Sequence, residues 1–469
     1  MEISKNAKCL DEFFNNLSSE EIKQKEEEVK EVNDYLHDDL IKKMVEEMKN
    51  DATFKELYVQ PNFVGSSYEN LKVGNPDEFD INLELKLPIS DSDIEIETLT
   101  TEPGFAKIKL DDVNKIIHQH VTLEVRKKIE SWLERGYIRW DKILQWFQGI
   151  VDKAMNKVDW SPNMTVKRST PGPAMTLNVT YVVTHKKKFS VDLVPVFTYG
   201  CNKWPSEPLR QLNDIPREID LGILKWCVVP KGPKNSMAPN LEWRMSFYPF
   251  EKEILKDLGN MNPVIKIMKL LRDRKNWVNL SSYYIKTLFL WEQEKQEPEF
   301  WKSNTKGYLF MHMLNRLVDC LKKEKIDFFW DQRSNLIANL KSEISNRHGE
   351  VEKIQAKLKK ALVLSDKEER TKEFEKIFKP SQSKPQQELL QEEEEEDEDI
   401  YEDEDLYWPR ERYSYQTTQL YGETSSGVMA ETDTNSTWMG VAAGVGALVV
   451  LGGALAYAIT RRHNNNNNN

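Results

Sequence analysis

Two acids on one side of a short strand constrain this chain most. The run Glu78, Phe79, Asp80, Ile81 alternates between acidic and apolar residues. Alternate residues of a strand point to the same face, so the two acids project together while the apolar pair faces the core. Carboxylates held this close suit Mg²⁺, which prefers oxygen ligands and leaves room for phosphates. The pattern therefore predicts a sheet that carries a metal site on one face.

Two further features extend this prediction. A turn of small residues, Gly65, Ser66 and Ser67, precedes the strand and offers backbone N–H groups and hydroxyls to a phosphate tail. A third acid, Asp192, stands alone in the apolar run 189–195. Because burying an unpaired carboxylate is costly, a lone acid in such a strand indicates a functional role.

Together these residues predict a nucleotidyltransferase, an enzyme that attacks the α-phosphate of a nucleoside triphosphate and expels pyrophosphate. We expect Glu78, Asp80 and Asp192 to be catalytic and to hold a pair of Mg²⁺ ions, or Mn²⁺ in their place. Asp192 is also expected to orient the attacking ribose hydroxyl. No zinc is expected, because the cysteines are far apart and form no Cys-x-x-Cys pair.

The charge of the chain is unevenly distributed. With 469 residues, of which 39% are hydrophobic, the chain is long enough for two or three domains with a buried core. The formal net charge is −11, but the segment 388–405 alone contributes 13 acids and neither Lys nor Arg. The remainder is nearly neutral, so basic patches that the average hides are compatible with the composition.

The predicted fold class is α+β, with a bilobal nucleotidyltransferase architecture. Strand patterns dominate from about residue 54 to 199 and helical periodicity from about 221 to 340, which indicates a mixed β-sheet lobe followed by a helical-bundle lobe. The predicted divisions are a nucleotidyltransferase lobe with an N-terminal spine helix at 18–210, a helical lobe at 211–345, a charged helix and disordered acidic linker at 346–437, a transmembrane anchor at 438–460 and a short polar tail at 461–469.

The anchor is predicted from an uncharged stretch near the end of the chain. Residues 438–460 contain no charged side chain, and at about 1.5 Å per residue a helix of this length spans a bilayer core. Trp438 and Tyr457 stand near its ends, as interfacial anchors do. We expect a single-pass, C-terminally anchored membrane protein with its catalytic part in the cytosol. The following Arg461 and Arg462 slightly favour the mitochondrial outer membrane over the endoplasmic reticulum.

Several longer segments carry a resemblance to a known family. The segments are Gly65–Glu69, Asn75–Asp80, Pro171–Leu177, Val191–Asp192, Val229–Lys231, Trp243–Phe247, Glu251–Leu255 and Ser281–Thr287. In this order and spacing, the chain resembles cyclic GMP-AMP synthase and the cyclic GMP-AMP synthase-like receptors of animals from about residue 20 to 335. Gly-Ser with Glu-x-Asp is a general superfamily signal, whereas the Trp-Arg-x-Ser-Phe and Ser-Ser-Tyr segments are specific.

The resemblance implies an activity and partners. The chain would synthesise a cyclic dinucleotide, cyclic GMP-AMP, from ATP and GTP in innate immune signalling, and a separate receptor would detect the product. The alternatives are a catalytically inactive, membrane-tethered scaffold of the same fold and an enzyme that makes a linear oligonucleotide. Labelled nucleotides separate these three possibilities.

The resemblance also implies residue roles in the nucleotide site. Ser66 would hold the triphosphate, and Tyr283 would stack on a nucleobase, as an aromatic face allows. Ser282 and Lys269 would contact the phosphates of the same nucleotide. The complete nucleotide-binding set is Gly65, Ser66, Ser67, Arg244, Ser246, Glu251, Lys269, Ser282 and Tyr283.

The second base would be read by residues further along the chain. Arg244 and Ser246 would recognise guanine, because an arginine pairs with its acceptor atoms, and Glu251 would bind a base or an arginine partner. A structural ion pair is the alternative reading of Arg244.

An activating nucleic acid would require a basic surface. The segment 256–265 lacks the His and Cys zinc ligands of the vertebrate DNA sensor, which favours double-stranded RNA over DNA as the ligand. Phosphate contacts to such a duplex are salt-dependent and independent of base sequence. The alternative is that the lysines are only solvated. In either case we expect the lysines at 186–188 to lie in a hairpin turn. The candidate contacts are Lys42, Lys43, Lys186, Lys187, Lys188, Lys231 and Lys234.

Overall fold

A computed structural model describes most of the chain before residue 381. The described residues are 2–19, 29–30, 32–33, 35–75, 77–110, 113, 117, 120–169, 175–182, 186–216, 218–277 and 279–380. All of them belong to the first of the two units into which the chain divides, 1–413 and 414–469. The predicted acidic linker, anchor and polar tail, from residue 381 onward, lie outside the described residues.

Strands form one mixed sheet. Polar and apolar residues alternate along β2, so one face of the sheet packs against the core and the other carries polar residues. Its main path runs β1, β2, β9, β10, β11, β4, β6, β5, with β3 beside β4, and with β7 beside β8, which pairs with β9. The strands are β1 Tyr58–Val64, β2 Glu78–Leu85, β3 Ile94–Glu97, β4 Phe105–Leu110, β5 Leu133–Glu134, β6 Tyr137–Ile138, β7 Met164–Arg168, β8 Met175–Val182, β9 Lys186–Gly200, β10 Lys225–Val229 and β11 Trp243–Ser246.

Helices flank the sheet and then form a second, helical part. The earlier helices are α1 Glu2–Leu17, α2 Lys42–Met48, α3 Ala52–Leu57, α4 Leu123–Ser131 and α5 Trp140–Met155. The later helices are α6 Tyr248–Leu255, α7 Met261–Arg274, α8 Ser282–Gln293, α9 Pro298–Ser303, α10 Lys306–Lys322, α11 Lys341–Leu362 and α12 Lys367–Phe378. This order, strands first and helices afterwards, fits the mixed-sheet and helical-bundle architecture that the sequence predicts.

The long strand β9 organises the sheet. Its first half pairs with β8, its last residues pair with β10, and β2 runs parallel to it between residues 190 and 197. Parallel neighbours require a long crossover connection, and the chain from β2 to β9 supplies one. The central position of β9 therefore places Asp192 inside the sheet rather than at its edge.

An aromatic cluster joins the sheet to the helical part. The ring of Trp330, which follows α10, stacks on Phe247 with centroids 4.7 Å apart. The ring of Trp226 on β10 also stacks on Phe247, with centroids 5.7 Å apart. The ring centroids of Trp204 and Phe250 on α6 are 4.9 Å apart. Rings of this size dominate the energetics of a core, so this cluster fixes α6 against the sheet.

The first helix is an element that the sequence analysis did not predict. Leu10, Phe14 and Leu17 are buried, at spacings of four and three residues that put them on one helical face. The ring of Phe14 lies 5.0 Å from that of Phe310 on α10. Phe13 contacts Phe378 on α12 at 5.4 Å. The helical part of the fold therefore recruits the N-terminus of the chain.

The predicted spine helix is described only in part. Its last portion consists of a π-helical segment, Leu36–Ile41, that continues into α2. Leu36, Leu40 and Met44 are buried, as expected for an amphipathic helix. The positions 20–28, 31 and 34 lie outside the described residues.

The charged region after residue 340 forms two helices that contribute to the core. Ile344, Val351 and Leu358 are buried along one face of α11, seven residues apart. In α12, Phe374 and Phe378 are buried as well. A heptad spacing of apolar residues lets a mostly charged helix pack along a narrow stripe, which explains how so polar a sequence joins the core.

The predicted transmembrane helix and membrane location require correction. Within the parts of the chain that the structure covers, no helix is long and apolar enough to cross a membrane. The longest, α11, carries charged residues along its whole length. The segment 438–460, on which the prediction depended, lies outside the described residues. The anchor, and the mitochondrial or endoplasmic reticulum location inferred from it, are therefore withdrawn.

Candidate active site

The sheet register brings two of the three predicted acids side by side. β2 and β9 run parallel, with Asp80 paired with Asp192 and Glu78 with Ser190. Paired residues of adjacent strands share a face, and the strands lie about 4.8 Å apart. Glu78 is two residues from Asp80 and so projects to the same side. All three predicted catalytic acids therefore lie on one face of the sheet.

The same face extends to the predicted base-reading residues. Ser246 on β11 pairs with Cys227 on β10, which in turn pairs with Thr198 on β9. Thr198 is an even number of residues from Asp192, so these side chains share one side of the sheet. Arg244, two residues before Ser246, lies on it too. The Ser246 side chain is buried, whereas Arg244 is half-buried beside the Phe105 ring, 5.9 Å away.

The predicted phosphate loop lies directly beside the acids. The last residue of β1, Val64, pairs with Asp80, so the turn at Gly65 begins next to that carboxylate. Gly65 has φ +79°, and a Cβ at this position would overlap the Asp80 Oδ2 atom. Only glycine tolerates both conditions, because it has no Cβ. The backbone N–H of Leu71 donates to the Ser66 carbonyl at 2.9 Å and closes the loop.

Two lysines from α7 hold this loop in place. Lys269, predicted to bind phosphate, is buried and donates from Nζ to the Leu71 carbonyl at 2.9 Å. Lys266, one turn earlier, donates to the Asn70 side chain at 2.8 Å. Lys269, predicted to contact phosphates, thus contacts the backbone of the loop. These bonds tie the loop to the helical part of the fold.

A buried ionic network lies behind the loop. Lys286 on α8 contacts Glu69 at 2.5 Å and Glu251 at 3.1 Å. The Glu251 carboxylate also accepts hydrogen bonds from the Tyr283 hydroxyl at 2.9 Å and from the Trp330 indole N–H at 2.8 Å. Glu251 is fully buried, and Tyr283 is 5% exposed. The residues predicted to bind or stack on a base are thus bonded to each other inside the protein.

Burial and charge act against each other in this network. Burial raises the pKa of Glu69, and the ammonium of Lys286 partly offsets the rise. Burial alone lowers the pKa of Lys286, but the two carboxylates outweigh it and hold the pKa above 10.5. Burial, and then the Glu251 carboxylate, raise the pKa of Tyr283. Lys286 therefore stays charged and is shared between two carboxylates.

Sequence reasoning assigned no role to Glu69, Lys286 or Trp330. A signal for Lys286 was present, since it is the single charge in the otherwise apolar run of α8 from 283 to 291. A lysine in such a run is expected to have a buried acidic partner. Trp330 carried no signal, because its partner Glu251 lies 79 residues earlier in the chain.

The predicted nucleic-acid lysines lie on three elements. Lys42 and Lys43 belong to α2, where Lys43 pairs with Asp39 at 3.4 Å. Lys231 and Lys234 follow β10, and Lys231 is only half-buried.

The lysines at 186–188 are not in a hairpin turn, and this expectation was wrong. Lys186, Lys187 and Lys188 begin β9 and pair with residues of β8. Lys187 pairs with Tyr181, whose ring lies 4.1 Å from that of Tyr35 just before the π-helical segment. The spine region therefore contacts β8, the strand beside these lysines.

Comparisons with known proteins agree with this architecture. Residues 67–257 match the Mab-21 protein nucleotidyltransferase domain, and residues 260–353 match the Mab-21 protein HhH/H2TH-like domain. A cyclic GMP-AMP synthase-like receptor of Microplitis demolitor is 36% identical over 308 residues, 62% of this chain and 54% of that protein. One from Trichogramma pretiosum is 31% identical over 373 residues, 76% of this chain and 73% of the relative.

A third relative extends the agreement to flies. Cyclic GMP-AMP synthase-like receptor 1 of Drosophila melanogaster is 30% identical over 312 residues, 64% of this chain and 79% of its own length. The chain belongs to the cyclic GMP-AMP synthase-like receptor family. Its three predicted catalytic acids fall within the nucleotidyltransferase domain match. The match spans about half of the Microplitis receptor.

Nucleotidyltransferase domains of this kind generally use divalent metal ions. The donor set fits such ions, because three carboxylates share one face and Mg²⁺ prefers oxygen ligands. The Asp192 carboxylate accepts a hydrogen bond from the Thr176 hydroxyl, its cross-strand neighbour on β8. Among the described residues, no group of three or more His, Cys, Asp and Glu side chains converges into a preformed metal cluster.

Proposed function

We propose that this family member synthesises a cyclic dinucleotide, cyclic GMP-AMP, from ATP and GTP in innate immune signalling. The observation that carries the proposal is the pairing of Asp80 with Asp192 beside the loop at Gly65. Glu78, Asp80 and Asp192 would hold a divalent ion there, which would supply neutralisation of phosphate charge and activation of a hydroxyl. Nucleotidyl transfer needs little beyond positioning and charge stabilisation, and the site provides both.

The remaining roles in binding and positioning the substrates are assigned to residues of the loop, the sheet and α8. Ser66, with the N–H groups of Ser67 and its neighbours, holds the triphosphate. Asp192 orients the ribose hydroxyl that attacks the α-phosphate. Ser282, in the first turn of α8, faces phosphate with the partial positive charge of a helix N-terminus. Two successive transfers through this one site close the ring.

Base recognition is assigned to the same face and the adjoining helix. Arg244 lies two strands from the acids and is half-buried, so it is placed to read the acceptor atoms of guanine. Tyr283 is proposed to stack on the other base. Glu251 is assigned to structure instead, because its carboxylate is occupied by Lys286, Tyr283 and Trp330.

We further propose that double-stranded RNA switches on the activity. Lys187 pairs with Tyr181 of β8, whose ring packs against Tyr35 of the spine region, so basic residues of β9 and of the spine region can contact one phosphate backbone. A separate receptor then detects the cyclic product. Contacts of this kind weaken steeply with salt, which gives the activation a measurable signature.

The experiment supplies the purified full chain with labelled ATP and GTP, Mg²⁺ or Mn²⁺, and RNA duplex, DNA duplex or neither. A phosphatase-resistant product that requires RNA supports the proposal. A phosphatase-sensitive oligonucleotide indicates a linear product, and the absence of any product under every condition indicates a catalytically inactive scaffold. Activation by DNA alone overturns the choice of ligand while it leaves the chemistry intact.

A further inference from the structure

A groove of about 730 Å³ lies between the first and last described helices. It is lined by α1, by α12 and by Arg274 at the end of α7. These elements belong to the helical part of the fold, and the groove is separate from the sheet face that carries the acids. Neither the proposed chemistry nor the proposed RNA contacts use it.

The walls of the groove carry excess positive charge. Its only two lining carboxylates among the described residues are Glu12 and Glu375. Lys367 pairs with Glu12 at 2.8 Å, but both side chains are mostly exposed, and exposed pairs of this kind contribute little. The lining cations are Arg274, Lys367, Arg370, Lys372, Lys376 and Lys379.

The neighbouring residue Lys275 experiences the same positive electrostatic field. Lys275 donates from Nζ to the Lys379 carbonyl at 2.8 Å, at the edge of the groove. Burial lowers the pKa of Lys275, and the positive charges of Lys357 and Arg274 lower it further. The described charges around this point thus repel a cation, and an anion placed in the groove would be stabilised.

The floor of the groove is apolar. Phe13 and Leu17 of α1 line it from one side and Phe378 of α12 from the other. The rings of Phe13 and Phe378 lie 5.4 Å apart. A cationic rim over an apolar floor suits an acidic peptide that also carries apolar side chains.

The chain itself contains a segment of this composition. Residues 388–405 hold 13 acids, no base, and the apolar side chains of Leu389, Leu390 and Ile400. The segment begins nine residues after Lys379, which lines the groove. Nine residues reach at most roughly 30 Å, and a short tether gives an effective concentration in the mM range. No other segment of the sequence combines this charge with this proximity.

We propose that the acidic segment 388–405 docks in the groove between α1 and α12 of its own chain. Its carboxylates pair with the lysines and arginines of the rim, and its apolar residues contact the floor. Docking places an anionic segment across the first and last described helices and holds α1 on the helical part. The inference does not depend on the catalytic proposal.

Cys9 provides a natural reporter, because it lines the groove and is a free, partly buried thiol. In the full chain, iodoacetamide labelling of Cys9 is compared with labelling of a variant in which the 13 acids of 388–405 become Gln or Asn. With mM effective concentration, we expect the variant to label at least about threefold faster. The difference should vanish at about 1 M salt, where the Debye length falls to about 3 Å. Cys320, outside the groove, should label equally in both proteins.

A matched pair of surface variants tests the location. Arg370→Gln with Lys376→Gln should reproduce the fast labelling, whereas Lys127→Gln with Lys128→Gln on α4 should not. Zero-length carbodiimide cross-linking should join Lys367 or Lys372 to acids of 388–405 within one copy, as shown by mixing isotopically light and heavy protein. Equal labelling rates in all proteins, cross-links equally frequent at Lys127, or cross-links chiefly between copies would each overturn the proposal.

Discussion

Two sets of carboxylates in this protein illustrate opposite uses of the same chemical group. On the sheet face, Asp80 and Asp192 sit side by side, so two like charges are held on adjacent strands. Behind the loop, Glu69 and Glu251 share the ammonium of Lys286. Like charges in register repel and favour a divalent cation between them, whereas the buried pair already has its counter-ion. On the proposed function, the first set would bind a metal ion, whereas the second set stabilises the fold.

Replacing one acid of the sheet face should produce the largest effect. Asp192→Asn keeps the shape and the hydrogen bond from Thr176 but removes the charge. Changing groups that only support a metal ligand lowers activity by about 10- to 100-fold, so loss of a ligand should exceed about 100-fold. The measurement is the rate of pyrophosphate release with ATP and GTP, alongside the melting temperature.

The melting temperature should fall little, or rise, because one of two repelling charges is removed. Synthesis at the wild-type rate by a folded Asp192→Asn protein would rule out the assignment of this residue to the metal site. A loss of folding would instead place Asp192 in the structural set.

Replacing Lys286, the cation that Glu69 and Glu251 share, should lower the stability of the fold more directly than it lowers the rate of catalysis. Lys286→Met leaves Glu69 and Glu251 buried without their counter-ion, which typically costs about 3–5 kcal/mol. Lys252→Met, an exposed change on neighbouring α6, is the matched control and should stay within about 0.5 kcal/mol. Urea unfolding monitored by tryptophan fluorescence measures both.

A second substitution keeps this prediction testable if Lys286→Met fails to fold. Adding Glu69→Gln removes one orphaned charge, so the double variant should be more stable than Lys286→Met alone. Equal stability of Lys286→Met and Lys252→Met would show that the ionic network contributes nothing to the free energy of unfolding. The two sets of carboxylates would then not differ in their structural role.

Local patterns of the chain were predictable, but contacts between distant segments were not. The alternation of acidic and apolar residues from Glu78 to Ile81 predicted a strand with both acids on one face, and β2 begins at Glu78. The pairing of Asp80 with Asp192 depends on a register between residues more than 100 positions apart, which no local period encodes. For the same reason the sequence predicted a base or an arginine as the partner of Glu251, whose partners Lys286, Tyr283 and Trp330 lie on other elements.

The first helix was missed for a different reason. Leu10, Phe14 and Leu17 carry a helical period, yet charged and polar residues occupy most positions between them. These residues are buried only because α10 and α12 provide an apolar surface for them, and both helices lie some 300 residues or more later in the chain. Tertiary packing, rather than propensity, stabilises such a helix.

A smaller effect is expected where the loop meets the sheet-face acids. Gly65→Ala forces a residue with a Cβ to adopt φ +79°, which strains the backbone by about 1–3 kcal/mol. The new methyl group also overlaps Asp80 Oδ2 and displaces that carboxylate. Gly149→Ala, inside α5 with no atom within 4 Å of the new Cβ, is the matched control and should stabilise by about 0.5–1 kcal/mol.

The rate of nucleotidyl transfer should differ more between Gly65→Ala and Gly149→Ala than the free energy of unfolding does. Gly65→Ala should lower the rate of nucleotidyl transfer even where the protein is fully folded, because Asp80 moves, whereas Gly149→Ala should leave it unchanged. A Gly65→Ala protein with normal activity would show that the loop and the acids do not form one site.

A third carboxylate extends the structural set and should give the smallest effect. Glu292 on α8 is buried and contacts His312 at 2.8 Å, Gln296 at 3.0 Å and Arg316 at 3.0 Å. Burial by itself raises the pKa of Glu292, but the hydrogen bonds from His312 and Gln296 and the charges of His312 and Arg316 outweigh it, so the pKa is lowered. Glu292→Gln should therefore destabilise by about 1 kcal/mol at pH 7.

The pH dependence identifies the cause. A carboxyl group whose pKa is lower in the folded than in the unfolded state stabilises the fold fully above the unfolded value of 4.5, and this stabilisation is lost as the pH falls through the folded pKa. The stability gap between wild type and Glu292→Gln should narrow over that range in urea unfolding at stepped pH. A gap that stays constant down to pH 3 would mean that the substitution acts through packing rather than through the charge of Glu292.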